Sequence, residues 1–181
     1  MMRLRGCLKR IFYRLLGIPI GEKCLIDRDV TLSRYRGGWI KIGEKCEFYK
    51  GSVLLTYGGH ILIGNECSFN QYVVIYGHGG LRIGNKVRIA NHVTIVPANH
   101  RFDDLSVSIM EQGEKRKGII IEDDVWIGSG ARILDGVIIR KGSVIAAGSV
   151  VNRSTTPYSV WGGIPARFLK QRNGNSFCSK S

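Results

Sequence analysis

Six apolar positions in the second half of the chain, Ile121, Ile127, Ile133, Ile139, Ile145 and Val151, follow one another at intervals of six without a slip. Four residues after each of the first five stands a small or β-branched residue: Val125, Ala131, Val137, Ser143 and Ser149. The first half carries the same unit in pairs. Ile20-Gly21-Glu22-Lys23-Cys24 leads to Ile26 and Val30, and Ile42-Gly43-Glu44-Lys45-Cys46 leads to Phe48 and Ser52. Ile63-Gly64-Asn65-Glu66-Cys67 leads to Phe69 and Val73, and Ile83-Gly84-Asn85-Lys86-Val87 to Ile89 and Val93. The larger period is 22, then 21, then 20 residues.

An amphipathic strand alternates with period two and a helix repeats near 3.6. A period of six, with one large and one small inward position, fits neither. It predicts short flat strands joined by tight turns, three to a coil, with coils stacked at about 4.8 Å. The large residue fills the centre of a triangular prism and the small one sits where the chain turns. Glycine at the second position, after Ile20, Ile42, Ile63 and Ile83, is expected to supply unusual backbone angles at a corner. The prediction is a parallel β-helix over residues 20–156. Cys24, Cys46 and Cys67 then occupy the small inward position of successive coils, where a thiol packs as a small hydrophobe.

Three stretches depart from the period. Residues 97–118 break it between Ile95 and Ile121, so they leave the solenoid as a protruding loop and return in register. Residues 1–19 predict a basic amphipathic helix over 3–16 with Leu4, Leu8, Ile11, Phe12 and Leu15 on one face, ended by Gly17-Ile18-Pro19. Such a helix either caps the open end of the solenoid or lies on an anionic membrane. Residues 157–181 are expected to form a C-terminal loop, a short helix and a flexible tail.

Charge changes the picture by its position. The 181 residues carry 27 Lys+Arg against 14 Asp+Glu, a formal charge of +13. Five of the basic residues fall in 1–19 and five in 152–181, with no acid in either stretch. The body is nearly balanced, and no aromatic-interleaved module accompanies the basic ends, so nucleic acid is not the expected partner. No apolar run reaches the roughly 18 residues a membrane-spanning helix needs. Five cysteines without a CxxC pair, and a basic N-terminus too interrupted for a signal peptide, predict reduced thiols and a cytoplasmic protein, peripheral at the membrane's inner face if the helix docks there.

The hexads resemble those of the left-handed β-helix acyltransferases, the hexapeptide-repeat superfamily. Asp123-Asp124-Val125-Trp126-Ile127-Gly128, Ala146-Ala147-Gly148-Ser149-Val150-Val151 and Gly162-Gly163-Ile164-Pro165-Ala166-Arg167 resemble, in order and spacing, its galactoside/maltose O-acetyltransferase branch, which includes polysaccharide O-acetyltransferases. The resemblance implies the left hand of the helix and a homotrimer with acetyl-CoA in the groove between neighbouring subunits. It also implies an acetyl-CoA-dependent O-acetyltransferase acting on a saccharide, such as a cell-surface polysaccharide or lipid-linked precursor, with no metal.

His100, at the start of the loop, matches the family's histidine. A sugar hydroxyl is a poor nucleophile at neutral pH, and a neutral imidazole can take its proton as it attacks a thioester. His78 is the reserve base and, with Asn70 and Asn91, a candidate for acceptor binding; Asp103, Asp104, Glu111 and Glu114 are weaker candidates to orient His100. The acetyl-CoA positions carried over from the resemblance are Trp126, Ser129, Ala147, Asn152, Arg153, Arg167 and Lys170. The alternatives are an N-acetyltransferase of a nucleotide-linked amino sugar and a non-catalytic β-helix scaffold.

Overall fold

The computed structural model describes residues 2–172, with side chains from Lys9 onward. The side chains of Arg3, Leu4, Arg5, Cys7 and Leu8, and residues 173–181 with Cys178 and the expected flexible tail, lie outside the described residues.

One helix, α1 (Met2–Leu15), precedes six coils. Coil 1 holds β1 (Leu25–Ile26), β2 (Thr31–Ser33) and β3 (Trp39–Ile42); coil 2 holds β4 (Glu47–Phe48), β5 (Val53–Leu55) and β6 (His60–Ile63). Coil 3 holds β7 (Ser68–Phe69), β8 (Val74–Tyr76) and β9 (Leu81–Ile83). Coil 4 has β10 (Arg88–Ile89) and β11 (Thr94–Val96), an arm of β12 (Asn99–His100) and β13 (Glu114–Lys115), then β14 (Ile119–Ile121). Coil 5 is β15 (Trp126–Ile127), β16 (Arg132–Leu134) and β17 (Ile138–Ile139), and coil 6 is β18 (Val144–Ile145) and β19 (Val150–Val151). A hairpin of β20 (Ser159–Gly163) and β21 (Ala166–Gln171) closes the top.

The first strands of the coils, with the hairpin, make an eight-stranded face; the second strands make a six-stranded face and the third strands a five-stranded face. All pairings along the prism are parallel up to β20, which gives the expected left-handed parallel β-helix. The large hexad positions stack in ladders. Ile26 pairs with Phe48, Phe48 with Phe69, Phe69 with Ile89, Ile89 with Ile127 and Ile127 with Ile145. Phe48 and Phe69 are fully buried and lie ring on ring, with centroids 4.6 Å apart and planes 3° from parallel. Each such aliphatic or aromatic burial stabilises the fold by about 1.5–3 kcal/mol. The break at residues 97–118 leaves this register intact: Leu81 still pairs with Ile119 and Ile83 with Ile121.

The small positions are inward as expected, and Val125, Ala131, Val137, Ser143 and Ser149 are buried. Cys24, Cys46 and Cys67 form the expected column of free thiols. Each thiol donates to the glycine carbonyl one coil up, Gly43, Gly64 and Gly84 in turn, at 3.1 Å. Contact with the neighbouring thiol and burial hold Cys24 well above the ordinary thiol pKa; the Cys24 contact lowers Cys46, but the Cys67 hydrogen bond and burial together outweigh it and push Cys46 up to about 12.

The reason given above for the corner glycines needs correction. The left-handed conformation falls two residues later, on Lys23, Lys45, Glu66, Lys86 and Asp124, with φ between 55° and 60°. Gly43 and Gly64 are required by close approach. A Cβ on Gly43 would stand 2.3 Å from Asn65 Oδ1, and one on Gly64 2.6 Å from the Gly84 carbonyl oxygen. The asparagine carboxamides run up this corner as a ladder, Asn65 Oδ1 accepting from Glu44 N and Asn85 Oδ1 from Asn65 N, each at 2.8 Å.

Helix α1 caps the bottom of the prism, and Lys9, Tyr13 and Arg14 make contacts there. Tyr13 is 6% exposed, whereas Ile11, Phe12 and Leu15 of the apolar stripe are 47%, 54% and 82% exposed. The Tyr13 hydroxyl donates to the Val30 carbonyl at 2.7 Å, Arg14 Nε to the Ile20 carbonyl at 2.8 Å and Lys9 Nζ to the Asp27 carbonyl at 3.0 Å. The bottom coil has carbonyls with no coil beneath them, and a buried carbonyl demands a donor. Lys9, Tyr13 and Arg14 of α1 therefore turn inward, while Ile11, Phe12 and Leu15 turn out. Gly17, with φ 75°, ends the helix as its position predicts.

The short helix expected within 157–181 is absent from the described part, where residues 159–171 form the β20–β21 hairpin. Val160 and Trp161 continue the ladder above Val144 and Ile145, so the exposed edge of coil 6 supplies partners that outweigh any local helical preference. Trp161 then covers the top of the core, 8% exposed, with its Nε1 donating to Ser159 Oγ at 2.9 Å.

Candidate active site

The arm that interrupts coil 4 is an antiparallel ribbon in which Asn99 faces Lys115 and His100 faces Glu114. Directly opposed residues in such a ribbon bring their side chains to one face. Ion pairs brace it, Glu114 Oε2 to Arg116 Nε at 2.8 Å and Asp103 Oδ2 to Lys115 Nζ at 3.0 Å. Beneath the ribbon lies a cleft of 270 Å³ lined by Tyr57, Tyr76, His78, Asn99, His100 and Glu114, among others. His78 and His100, one coil apart in sequence, thus share one space.

His78 lies flat on Tyr57, and its buried Nδ1 has no hydrogen-bond partner among the described residues. Burial holds its imidazole below the ordinary pKa; Arg116, Arg36 and His100 add to this, and Glu114 opposes it. Burial alone would raise the Glu114 carboxyl, but Arg116, His78 and His100 together outweigh it and keep the carboxylate below its ordinary value. The cleft therefore holds a neutral imidazole, an exposed imidazole and an ionised carboxylate. Such a set can accept a proton and stabilise the resulting cation.

A second concavity, of 510 Å³, opens between the eight-stranded face and its corner with the six-stranded face. Trp126, Ser129, Ala147 and Lys170 line it, four of the seven positions carried over for acetyl-CoA. Val144 and Val160 add apolar wall, and Gln171 and Arg172 add polar rim. Arg172 Nη1 reaches the Asp124 carboxylate and the Gly142 carbonyl at 2.9 Å. An apolar trough ending in cations fits a long ligand with an apolar arm and an anionic end.

The remaining candidates are distributed. Asn70 Nδ2 donates to the Ile89 carbonyl at 3.2 Å, and Asn91 Oδ1 accepts from Ser129 Oγ at 2.6 Å. Both asparagines stand at the trough's corner, away from the histidine cleft. Asn152 and Arg153 follow β19 on the arm's corner instead, and Arg167 sits opposite Gly162 near the hairpin turn, outside the trough. His60 stacks on Trp39 and His92 on Tyr72, at 4.9 and 5.3 Å. Tyr57, Tyr76, Gln171 and Arg172 were not singled out by sequence. Arg172 alone carried a signal, as one of the basic residues after the last hexad. Among the described residues no group of three His, Cys, Asp or Glu side chains is placed to hold a metal ion.

Residues 118–153 match the family model described as bacterial transferase hexapeptide (six repeats). A "Probable acetyltransferase" of Mycobacterium tuberculosis is 31% identical over 136 residues, 75% of this chain and 43% of that protein. A hexapeptide-repeat-containing acetyltransferase of Vibrio cholerae, solved in complex with acetyl coenzyme A, is 27% identical with a TM-score of 0.58, covering 92% of this chain and 78% of that one. The N-acyltransferase AntD of Bacillus cereus, in complex with dTDP and coenzyme A, shares the fold at a TM-score of 0.77 and 21% identity, covering 91% and 90%. The chain is thus similar, over most of its length, to acyltransferases built on hexapeptide repeats. It spans about half the length of the curated relatives it matches.

Proposed function

We propose that the protein is an acetyl-CoA-dependent O-acetyltransferase that acetylates a saccharide hydroxyl, with His100 as the general base, and that it works as a homotrimer. The observation that carries this reading is that the histidine cleft and the Trp126 trough lie at opposite edges of one face. That face, the six-stranded one, turns Val53, Leu55, Val74, Tyr76, Val96, Leu134 and Val150 outward, all half-buried. If it faces a threefold axis, unlike edges of neighbouring copies meet. His78, His100, Asn152 and Arg153 of one copy then approach Asn70, Asn91, Trp126, Ser129, Ala147 and Lys170 of the next. Residues that a single copy separates become one site.

Acetyl-CoA supplies an activated thioester acyl group. Trp126, Val144 and Val160 fit its apolar arm, and Lys170 with the basic C-terminal strand fits its phosphates. His100 takes the proton from the acceptor hydroxyl and returns it to the departing thiolate. Glu114, opposite it, stabilises the imidazolium in between. Base assistance of this kind is worth about 10²–10⁴-fold.

Thiol release from acetyl-CoA, measured against free sugars, amino sugars, nucleotide sugars and lipid-linked saccharides, tests the reaction, and ultracentrifugation tests the trimer. Transfer to hydroxyl acceptors is the expected result. Transfer confined to amines would establish the N-acetyl alternative, and no turnover with any acceptor would leave the scaffold reading.

The exposed Ile11, Phe12 and Leu15 on α1, with Leu16 just after it, support peripheral contact with an anionic membrane through residues 1–16. No described helix is long and apolar enough to cross a bilayer. Loss of binding to anionic vesicles in a Phe12→Ser/Leu15→Ser variant is the expected result. Equal binding by wild type and variant would remove the membrane from the picture.

A further inference from the structure

The histidine cleft does not end at Tyr57. Tyr76, Tyr57 and Tyr35 descend the same corner through coils 3, 2 and 1, with ring centroids 4.7 and 4.9 Å apart. Arg36 stands at the foot of the column, its guanidinium 5.6 Å from the centre of the Tyr35 ring. Arg36 forms no ion pair among the described residues. Its backbone is left-handed, with φ 58°, a conformation that costs a non-glycine residue about 1–3 kcal/mol. Thr56 Oγ1 fixes the turn by sharing its one proton between the Tyr35 carbonyl at 2.9 Å and the Gly37 carbonyl at 2.5 Å.

The column is thus an aromatic wall about two coil spacings, or about 10 Å, long. It leads from the imidazoles to a guanidinium whose charge no described carboxylate answers. Glu114 at the upper end is already matched by Arg116. Tyrosine rings offer flat apolar faces with a polar tip, suited to sugar rings, and a guanidinium is a two-pronged match for a phosphate. The wall is longer than one sugar ring.

We propose that Tyr57, Tyr35 and Arg36 form the distal part of the acceptor site and that the acceptor is a saccharide carrying a phosphate or diphosphate, seated on Arg36. This rests on the acyltransferase reading and narrows its substrate. The phosphate end would emerge at coil 1, the end of the prism where α1 exposes Ile11, Phe12 and Leu15. A nucleotide and a polyprenyl chain are the two sources of such a phosphate.

Calorimetric titration of the full chain with uridine diphosphate and with farnesyl diphosphate separates them. Each is run against wild type, Arg36→Gln and Arg36→Lys, with acetyl-CoA titrated in parallel. The expected result is that at least one diphosphate binds wild type, about tenfold or more weakly to Arg36→Gln, and with partial recovery in Arg36→Lys, while acetyl-CoA affinity stays constant. Whichever probe shows this dependence identifies the source. Binding of neither probe to wild type, or affinity unchanged in Arg36→Gln, overturns the proposal. Failure of acetyl-CoA to bind would instead overturn the acyltransferase reading, because diphosphate binding is read without turnover.

Discussion

The His78 imidazole lies on the Tyr57 ring with centroids 4.3 Å apart and planes inclined by 10°. Burial at this stack holds the imidazole below its ordinary pKa. The groups that face it are Glu114, Arg116, Arg36 and His100. A histidine whose folded pKa is lowered binds fewer protons in the native state than in the unfolded one, so stability falls as pH drops below the unfolded value of about 6.5. Urea midpoints at pH 7.5 and 5.5 should therefore differ for wild type, and the difference should shrink in His78→Gln.

Removing the proposed base should lower turnover far more than binding. His100→Ala is expected to reduce kcat by about 10²–10⁴-fold, and Glu114→Gln by about tenfold, with KM for acetyl-CoA unchanged in both. Steady-state thiol release checks this. Wild-type kcat in His100→Ala would exclude the assigned role.

The trough should behave oppositely. Trp126→Ala and Lys170→Ala are expected to weaken acetyl-CoA binding with little effect on a step limited by proton transfer. The loss in Lys170→Ala should diminish at high salt, since it is a charge contact. Titration calorimetry at two ionic strengths measures both.

Gly64→Ala should destabilise the fold by about 1–3 kcal/mol, because the added methyl would meet the Gly84 carbonyl backbone at 2.6 Å. If backbone angles were the reason for glycine there, a left-handed-tolerant asparagine would rescue it. The close approach predicts that Gly64→Asn is worse than Gly64→Ala by thermal denaturation.

The hydroxyl of Tyr13 is expected to contribute about 0.5–1.5 kcal/mol through its bond to the Val30 carbonyl. Tyr13→Phe should lose that amount in chemical denaturation. An unchanged midpoint would mean that the ring alone caps the coil.

The solenoid was legible because each hexad states its own inward positions, and neighbours one coil away repeat the statement. Ile127 and Ile133 needed no knowledge of the rest of the chain. The arm was visible as a failure of period, but its ribbon was not, since the facing of His100 and Glu114 depends on where the thirteen residues between them turn back. The hairpin at Ser159–Gln171 was misjudged because its partner is the edge of coil 6, a tertiary surface. The Tyr76–Tyr57–Tyr35 column escaped notice because its members sit about twenty residues apart at corner positions, where the hexad specifies little. The division of the site between two corners follows only from knowing which face each hexad occupies.

Six parallel coils in register are, in miniature, the arrangement of a cross-β fibre. What makes this one finite is its two ends. At the bottom, Tyr13, Arg14 and Lys9 occupy carbonyls that a further coil would otherwise claim. At the top, β21 runs antiparallel to β20 and breaks the parallel template. Chain termination is thus written into the same elements that close the core, and a molecule shorn of either would carry a sticky edge ready for end-to-end polymerisation.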